Sequence, residues 1–248
     1  MISQRALVAH FAQLSTLMGV VDDPKTLTTV PMYHASGAIT GINTIAQGGA
    51  VYSMTDFIPP EVARIVDEEG ITNVTFVPAM IQALLVMVPD LAEREYRRLD
   101  TIIYGASPIA VETLRAAIGA FGCKFAQVYG MTELTAVATA LYPEDHDRAM
   151  AGEEHLLLSA GREVLGTDVK IVDADGNELP PGEVGEIIVR GPQVMDGYHK
   201  RPEATSEALV DGWMHTGDAG SLDAEGYLYV SDRVKDMIIS GGENNYPR

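Results

Sequence analysis

The strongest constraint on this chain is a change of grammar partway along it. From Ser3 to about Ala140, short apolar runs alternate with amphipathic stretches that open on serine or proline. Ser3 can cap a helix running to Met18, and residues 27–30 read as a strand ended by Pro31. Pro59-Pro60 opens a helix that closes at Gly70, the β-branched run 72–77 follows, and Pro78 starts another helix. Residues 101–104, a helix over 109–120 and residues 124–129 repeat the unit. Helix and strand alternating in this way predict a mainly parallel sheet covered by helices.

Past about Gly161 the punctuation changes. Residues 168–172 and 185–190 flank Asp173-Ala174-Asp175-Gly176-Asn177, and residues 227–230 follow Asp223-Ala224-Glu225-Gly226. Such turn chemistry between short strands predicts hairpins, hence a smaller antiparallel, β-barrel-like subdomain packed on the first. The expected fold class is α/β, with units over residues 1–150, 151–234 and 235–248. At 248 residues, 46% hydrophobic and 21% charged, the chain can bury a real core; a disordered polymer, a collagen-like chain or a coiled coil is ruled out.

Charge narrows the partners. With 17 Lys and Arg against 35 Asp and Glu, the net charge is −18. Such a field repels phosphate backbones and acidic membrane surfaces, so neither nucleic acid nor polybasic membrane docking is expected. An anionic ligand needs local donors or a metal ion to offset it. No apolar run approaches the ~20 residues of a spanning helix. Met1-Ile2-Ser3-Gln4-Arg5 has neither the apolar stretch nor the cleavage site of a signal peptide, so a cytoplasmic location is expected. One cysteine, Cys123, excludes an internal disulfide and a cysteine-rich zinc site, and is expected to be a buried structural thiol. Oligomeric state is not readable.

Four clusters carry polar chemistry. Pro31-Met32-Tyr33-His34-Ala35-Ser36-Gly37 reads as a turn after a strand, where ligands of parallel sheets bind. Tyr104-Gly105-Ala106-Ser107-Pro108 ends a strand in small residues, against which a ring or chain can lie. Gln127-Val128-Tyr129-Gly130-Met131-Thr132-Glu133 delivers a ring, a flexible glycine, a hydroxyl and a carboxylate to one point. That set suits a base, a phosphate and Mg²⁺. The fourth is His215-Thr216-Gly217-Asp218, followed by Asp232-Arg233-Val234-Lys235-Asp236 and Ser240-Gly241-Gly242-Glu243-Asn244; read singly, each is a charged turn. Asp173 to Glu178 is no calcium loop, because its glycine falls too early and the distal glutamate is absent. No Gly-x-Ser-x-Gly elbow, His-Glu-x-x-His helix or Walker A loop appears.

Together and in this order, the clusters resemble the adenylate-forming superfamily, the acyl- and aryl-CoA synthetases with their luciferase and adenylation-domain relatives. Tyr129-Gly130-Met131-Thr132-Glu133, Thr216-Gly217-Asp218 and Asp232-Arg233-x-Lys235-Asp236-x-Ile238 carry the resemblance over essentially the whole chain. It implies that a carboxylic acid, fatty or aromatic, attacks the α-phosphate of ATP, and that the acyl group then passes to CoA. By motif position, Tyr129 stacks on adenine, with Gly130 and Met131 beside it, and Gly105 and Ala106 line the adenine and acyl pockets. Thr132 bonds the α-phosphate and Glu133 ligates Mg²⁺. Asp218 holds the ribose hydroxyls with Arg233 as a second contact, and His34 gates the acyl carboxylate. Lys235 is the hinge, and Ser240, Gly241 and Gly242 border the CoA tunnel.

An aspartate that binds an amino-acid ammonium in related enzymes is replaced by His34, which argues against an amino-acid substrate. Small residues (Ala35, Gly37, Ala38, Gly105, Ala136, Ala138) are expected to leave room for an alkyl chain or aryl ring, a fatty acid being preferred. The family's triphosphate loop normally lies upstream of residues like 1–6. Its C-terminal domain, with the adenylation lysine, should follow Tyr246-Pro247. The chain therefore reads as a fragment ending just past the hinge, not expected to run the full reaction by itself. Two other readings stay open: a non-catalytic AMP- or acyl-adenylate-binding module, and an adenylation enzyme with a different acyl acceptor.

Overall fold

The computed structural model describes residues 1–107, 109–233, 238–240 and 243–245. Helix α1, Gln4–Met18, starts where the Ser3 hydroxyl accepts the Ala6 amide at 3.2 Å and stops at Gly19, whose φ of 71° ends the helix. There follow β1 (Lys25–Thr28), α2 (Ala35–Ala46), β2 (Ala50–Ser53), α3 (Pro59–Glu68), β3 (Asn73–Phe76), α4 (Pro78–Met87), β4 (Thr101–Gly105), α5 (Val111–Phe121) and β5 (Lys124–Tyr129). Proline opens α3 and α4 because it has no N–H to leave unsatisfied in a first turn.

The first sheet runs β2-β1-β3-β4-β5 in parallel. It then continues antiparallel through β6 (Thr139–Leu141) and β7 (Arg162–Glu163), with α6 (Pro143–Met150) between them. Strand alternation splits its side chains between two cores. Ile102, Tyr104 and Phe125 join α3, α4 and α5 on one face, through Val62, Ile81, Leu84 and Leu114. Ile103 and Ala126 meet α1 on the other, through Leu14 and Leu17. Burying each such aliphatic side chain contributes roughly 1.5–3 kcal/mol, which outweighs the weak preferences of four-residue strands.

The second sheet is curled and antiparallel. Its order is β10 (Leu209–Val210), β11 (Trp213–Leu222), β9 (Gly185–Arg190), β8 (Asp168–Val172), with β12 (Leu228–Arg233) also on β11 and α7 (Pro202–Ala208) leading into β10. A short hairpin, β13 (Ile238–Ser240) and β14 (Glu243–Asn245), follows. The core of this sheet takes Val169, Ile187, Val189, Met214 and Leu228, and also Leu134, Ala138 and Ala160 from the first region. The junction is closed by main-chain bonds between Ala160–Gly161 and Leu228 (2.6 and 2.8 Å). Buried Asp145 adds to it by accepting from the Tyr227 hydroxyl at 2.6 Å.

Three readings of local structure change. Residues 31–37, read as a turn, contain the start of α2. His215–Asp218, read as a charged turn, lies inside β11, and Asp232-Arg233 closes β12. In β11 and β12 sheet pairing overrides a polar, turn-like sequence. The strand expected over 27–30 lies at Lys25–Thr28. Cys123 sits half-buried between α5 and β5, its thiol pushed up to about 12, chiefly by burial. Among the described residues no helix is long and apolar enough to cross a membrane.

Candidate functional site

The carboxyl ends of β4 and β5 face one edge of the parallel sheet, where side chains can meet a ligand without crossing the core. At the end of β4, Gly105 is buried where an added Cβ would overlap the Val128 carbonyl oxygen, and exposed Ala106 follows with a left-handed φ of 69°. At the end of β5, Tyr129 is half-buried and Gly130 exposed; a Cβ on Gly130 would overlap the Ala136 carbonyl. The chain then makes a 3₁₀ turn, Thr132–Leu134, and doubles back through Thr135 (φ 52°) and Ala136 (φ 84°). Two consecutive left-handed residues with a Cβ cost about 1–2 kcal/mol each.

That strain is offset from the second sheet's side. Leu134 is fully buried in its core, and the Thr135 hydroxyl donates to the Gln193 carbonyl at 2.6 Å. The Met195 amide donates to the Glu133 carbonyl at 2.8 Å, and the Tyr198 hydroxyl to Glu133 Oε1 at 2.8 Å. Burial and the Glu133 bond push the Tyr198 phenol up to about 12, so it stays a donor at neutral pH. Thr132 is left exposed and Glu133 half-exposed at the mouth.

Asp218 arrives from the other sheet. Between the pairs His215–Ile188 and Ala219–Glu186, Thr216, Gly217 and Asp218 lie opposite Ile187 alone, so β11 bulges. Gly217 has a φ of 72°. The bulge aims the carboxylate across the inter-sheet gap, where the Tyr129 hydroxyl donates to Asp218 Oδ2 at 2.8 Å. Two motifs 89 residues apart therefore meet at one point. Arg233 pairs with Asp218 in strand register.

His34 caps α2: its Nδ1 accepts from the Ser36 amide at 3.3 Å and lies 2.8 Å from the Ser36 hydroxyl, with the ring exposed. Gly37 is buried where a Cβ would stand 2.8 Å from the Pro31 carbonyl, and Ala138 is buried in the second core. Their small size thus serves close packing rather than an open pocket. Ser240 ends β13; Lys235, Gly241 and Gly242 lie outside the described residues. A cavity of about 300 Å³ lined by Leu99, Cys123, Phe125, His146 and Met150 opens at the amino ends of β4 and β5, the opposite edge. Sequence reasoning missed Glu186, Gln193 and Tyr198. Each acts on a motif it is remote from in sequence, and no local pattern marks it.

A helix-covered parallel sheet joined to a curled antiparallel sheet, with a tyrosine and a carboxylate closing on each other between them, defines the large N-terminal domain of an adenylate-forming enzyme. The family model described as AMP-binding enzyme matches residues 1–199. The chain is 43% identical over 226 residues to the medium/long-chain-fatty-acid–CoA ligase FadD8 of Mycobacterium tuberculosis, covering 91% of this chain and 38% of that protein. It is 40% identical over 229 residues to a feruloyl-CoA synthase of Amycolatopsis, covering 92% and 45%. Among solved structures it superposes on the O-succinylbenzoate coenzyme A synthetase MenE of Bacillus subtilis, solved in complex with ATP and magnesium ion. The TM-score is 0.87 at 31% identity, covering 99% of this chain and 49% of that one. This chain belongs to the AMP-binding enzyme family. It spans less than half the length of these relatives.

Proposed function

We propose that this chain carries the adenylate-binding site of an ATP-dependent acid–thiol ligase. The ligase joins a fatty or aromatic carboxylic acid to AMP and passes the acyl group to CoA. In the first step a carboxylate oxygen attacks the α-phosphorus, a P–O bond forms, and the bond to pyrophosphate breaks. In the second, the CoA thiol, losing its proton, attacks the acyl carbon and AMP leaves with the C–O electron pair. Positioning and charge neutralisation supply most of the acceleration in such displacements.

The residue roles are proposed from motif position, and the meeting of Tyr129 with Asp218 supports them. Tyr129 presents its ring to adenine while its hydroxyl holds Asp218, whose carboxylate takes the ribose hydroxyls with Arg233 as neighbour. Gly105 and Ala106 leave the pocket wall low, Thr132 donates to the α-phosphate, and His34 stands at the acyl side as the gating residue. Lys235 is proposed as the hinge, and Ser240, Gly241 and Gly242 as the border of the CoA tunnel. Among the described residues no three or more His, Cys, Asp or Glu gather as a metal cage. One carboxylate beside a hydroxyl fits Mg²⁺, which keeps its waters and reaches protein through one or two carboxylates and the substrate's phosphates. Glu133 would hold it, and when bound it neutralises charge on those phosphates.

The observation that carries the reading is the 2.8 Å bond between Tyr129 and Asp218. Calorimetry of this chain with AMP tests it. Binding is expected in the micromolar to millimolar range, weakened about tenfold or more by Asp218→Ala. No heat up to millimolar AMP overturns the reading. Pyrophosphate exchange on the same chain separates a catalytic site from a module that only binds. The FadD8 and feruloyl-CoA synthase relatives support a fatty or an aryl acid alike.

A further inference from the structure

The bulge in β11 would not hold its shape through sheet pairing alone, because three of its residues face one on β9. Its support comes from Glu186. One carboxylate oxygen, Oε2, lies 2.8 Å from His215 Nδ1, and the other, Oε1, accepts the Gly217 amide at 3.1 Å. A single side chain thus grips both ends of the segment preceding Asp218. A carboxylate can only accept, so His215 Nδ1 carries the hydrogen of that bond. Both side chains are about one-quarter exposed (27% and 26%), shielded enough for the bonds to outcompete water. The Thr216 hydroxyl adds a second tie, donating to the Ile187 carbonyl at 2.7 Å and accepting the Asp218 amide at 3.1 Å.

We propose that Glu186, through His215 and Gly217, is a positioning residue for ribose recognition, holding Asp218 where it can take the sugar hydroxyls. The inference rests on the reading of Asp218 as the ribose carboxylate. Glu186 spends its two oxygens on His215 and Gly217, and so acts by setting the angle from which Asp218 approaches. Loss of the clamp therefore lowers affinity for a sugar with its hydroxyls and leaves affinity for one without them nearly unchanged.

Calorimetry with AMP and 2′,3′-dideoxy-AMP on the chain, with a thermal melt of each variant, tests this. The parent is expected to prefer AMP about tenfold. Glu186→Gln keeps the shape and one acceptor oxygen but turns the other into a donor, so the two bonds are no longer both accepted by a carboxylate. It is expected to cut that preference to about twofold, with 2′,3′-dideoxy-AMP affinity within about threefold of the parent. His215→Gln, which leaves the Gly217 bond in place, provides a milder second variant and should fall between the two. Equal weakening of both nucleotides by Glu186→Gln, or a retained preference in both variants, overturns the inference. A parent preference abolished by Asp218→Asn but untouched in the Glu186 and His215 variants overturns it alone. A parent with no preference, unaffected by Asp218→Asn, overturns the ribose reading and this inference with it.

Discussion

The two sheets deliver residues to the same place by opposite means. The parallel sheet releases Gly105, Tyr129 and the loop after it from strand ends, where pairing has stopped. The antiparallel sheet presents Asp218 from the middle of a ten-residue strand, where pairing is interrupted by a bulge. A strand-end loop has no ladder of its own and borrows support from elsewhere: loop 130–137 buries its own Leu134 in the second core and leans on Gln193, Met195 and Tyr198 in and beside it. The bulge is held within its own sheet by Glu186 and Thr216. The second sheet therefore governs both halves of the site, although most of the motif letters sit on the first.

If the sheets form one cooperative unit, damage at their junction should reach both. Gly161 has a φ of 79°, a Cβ there would overlap the Ala140 backbone, and its carbonyl accepts the Leu228 amide. Gly161→Ala is expected to destabilise by more than about 3 kcal/mol, because backbone rather than a flexible side chain must give way. Urea melts followed by far-UV circular dichroism and by the fluorescence of the one tryptophan, Trp213 in β11, should shift together. A shift in the ellipticity midpoint with the Trp213 midpoint unmoved would break the comparison, making the sheets independent.

A pH effect of similar size is expected on the first sheet's α1 face. His10 is buried, its Nδ1 without a hydrogen-bond partner, and burial holds its imidazole down at about 4 against an ordinary 6.5. The unfolded chain takes up a proton between those values while the folded chain does not, so stability falls as pH drops from about 6.5 towards 4. The full span is worth about 3 kcal/mol. Buried His146 is lowered by the same cause and adds in the same direction. His10→Leu should flatten the stability–pH curve in that window; an unchanged slope would show that the imidazole charges in place. The sign follows from a folded pKa below the unfolded one.

Much of this was legible in sequence where the signal is local. Ser3, Pro59 and Pro78 mark helix starts, and Lys124–Tyr129, Asp168–Val172 and Gly185–Arg190 were bounded by turn residues the ladder respects. Helix α2 was not legible, because its Ala-Ser-Gly opening is a poor helix signal and packing against β1 makes up the deficit. Strand β11 was hidden because Gly217 and Asp218 advertise a turn, and the turn is there, folded into the strand as a bulge. The motif residues could be named from their order alone. Glu186, Gln193 and Tyr198 could not, since their contacts exist only once the fold brings them to Gly217, Thr135 and Glu133, at sequence separations of 31, 58 and 65.

The smallest effect tests the borrowed support most directly. Tyr198 packs its ring against the second core and spends its hydroxyl on Glu133. Tyr198→Phe keeps the ring and removes only that bond. Glu133 is half-exposed, so water can replace the lost donor, and stability should fall by no more than about 1 kcal/mol. What changes is the freedom of the carboxylate. With Oε1 pinned, one oxygen remains turned to ligand; unpinned, the side chain samples rotamers and a cation must fix it again. With Glu133 as the proposed Mg²⁺ ligand, the Mg²⁺ concentration that half-saturates ATP binding should rise about threefold, which corresponds to under 1 kcal/mol. AMP binding without metal should stay within error. An unchanged Mg²⁺ requirement would mean that the second sheet supports the loop's backbone but not its chemistry, confining the contrast between the sheets to folding.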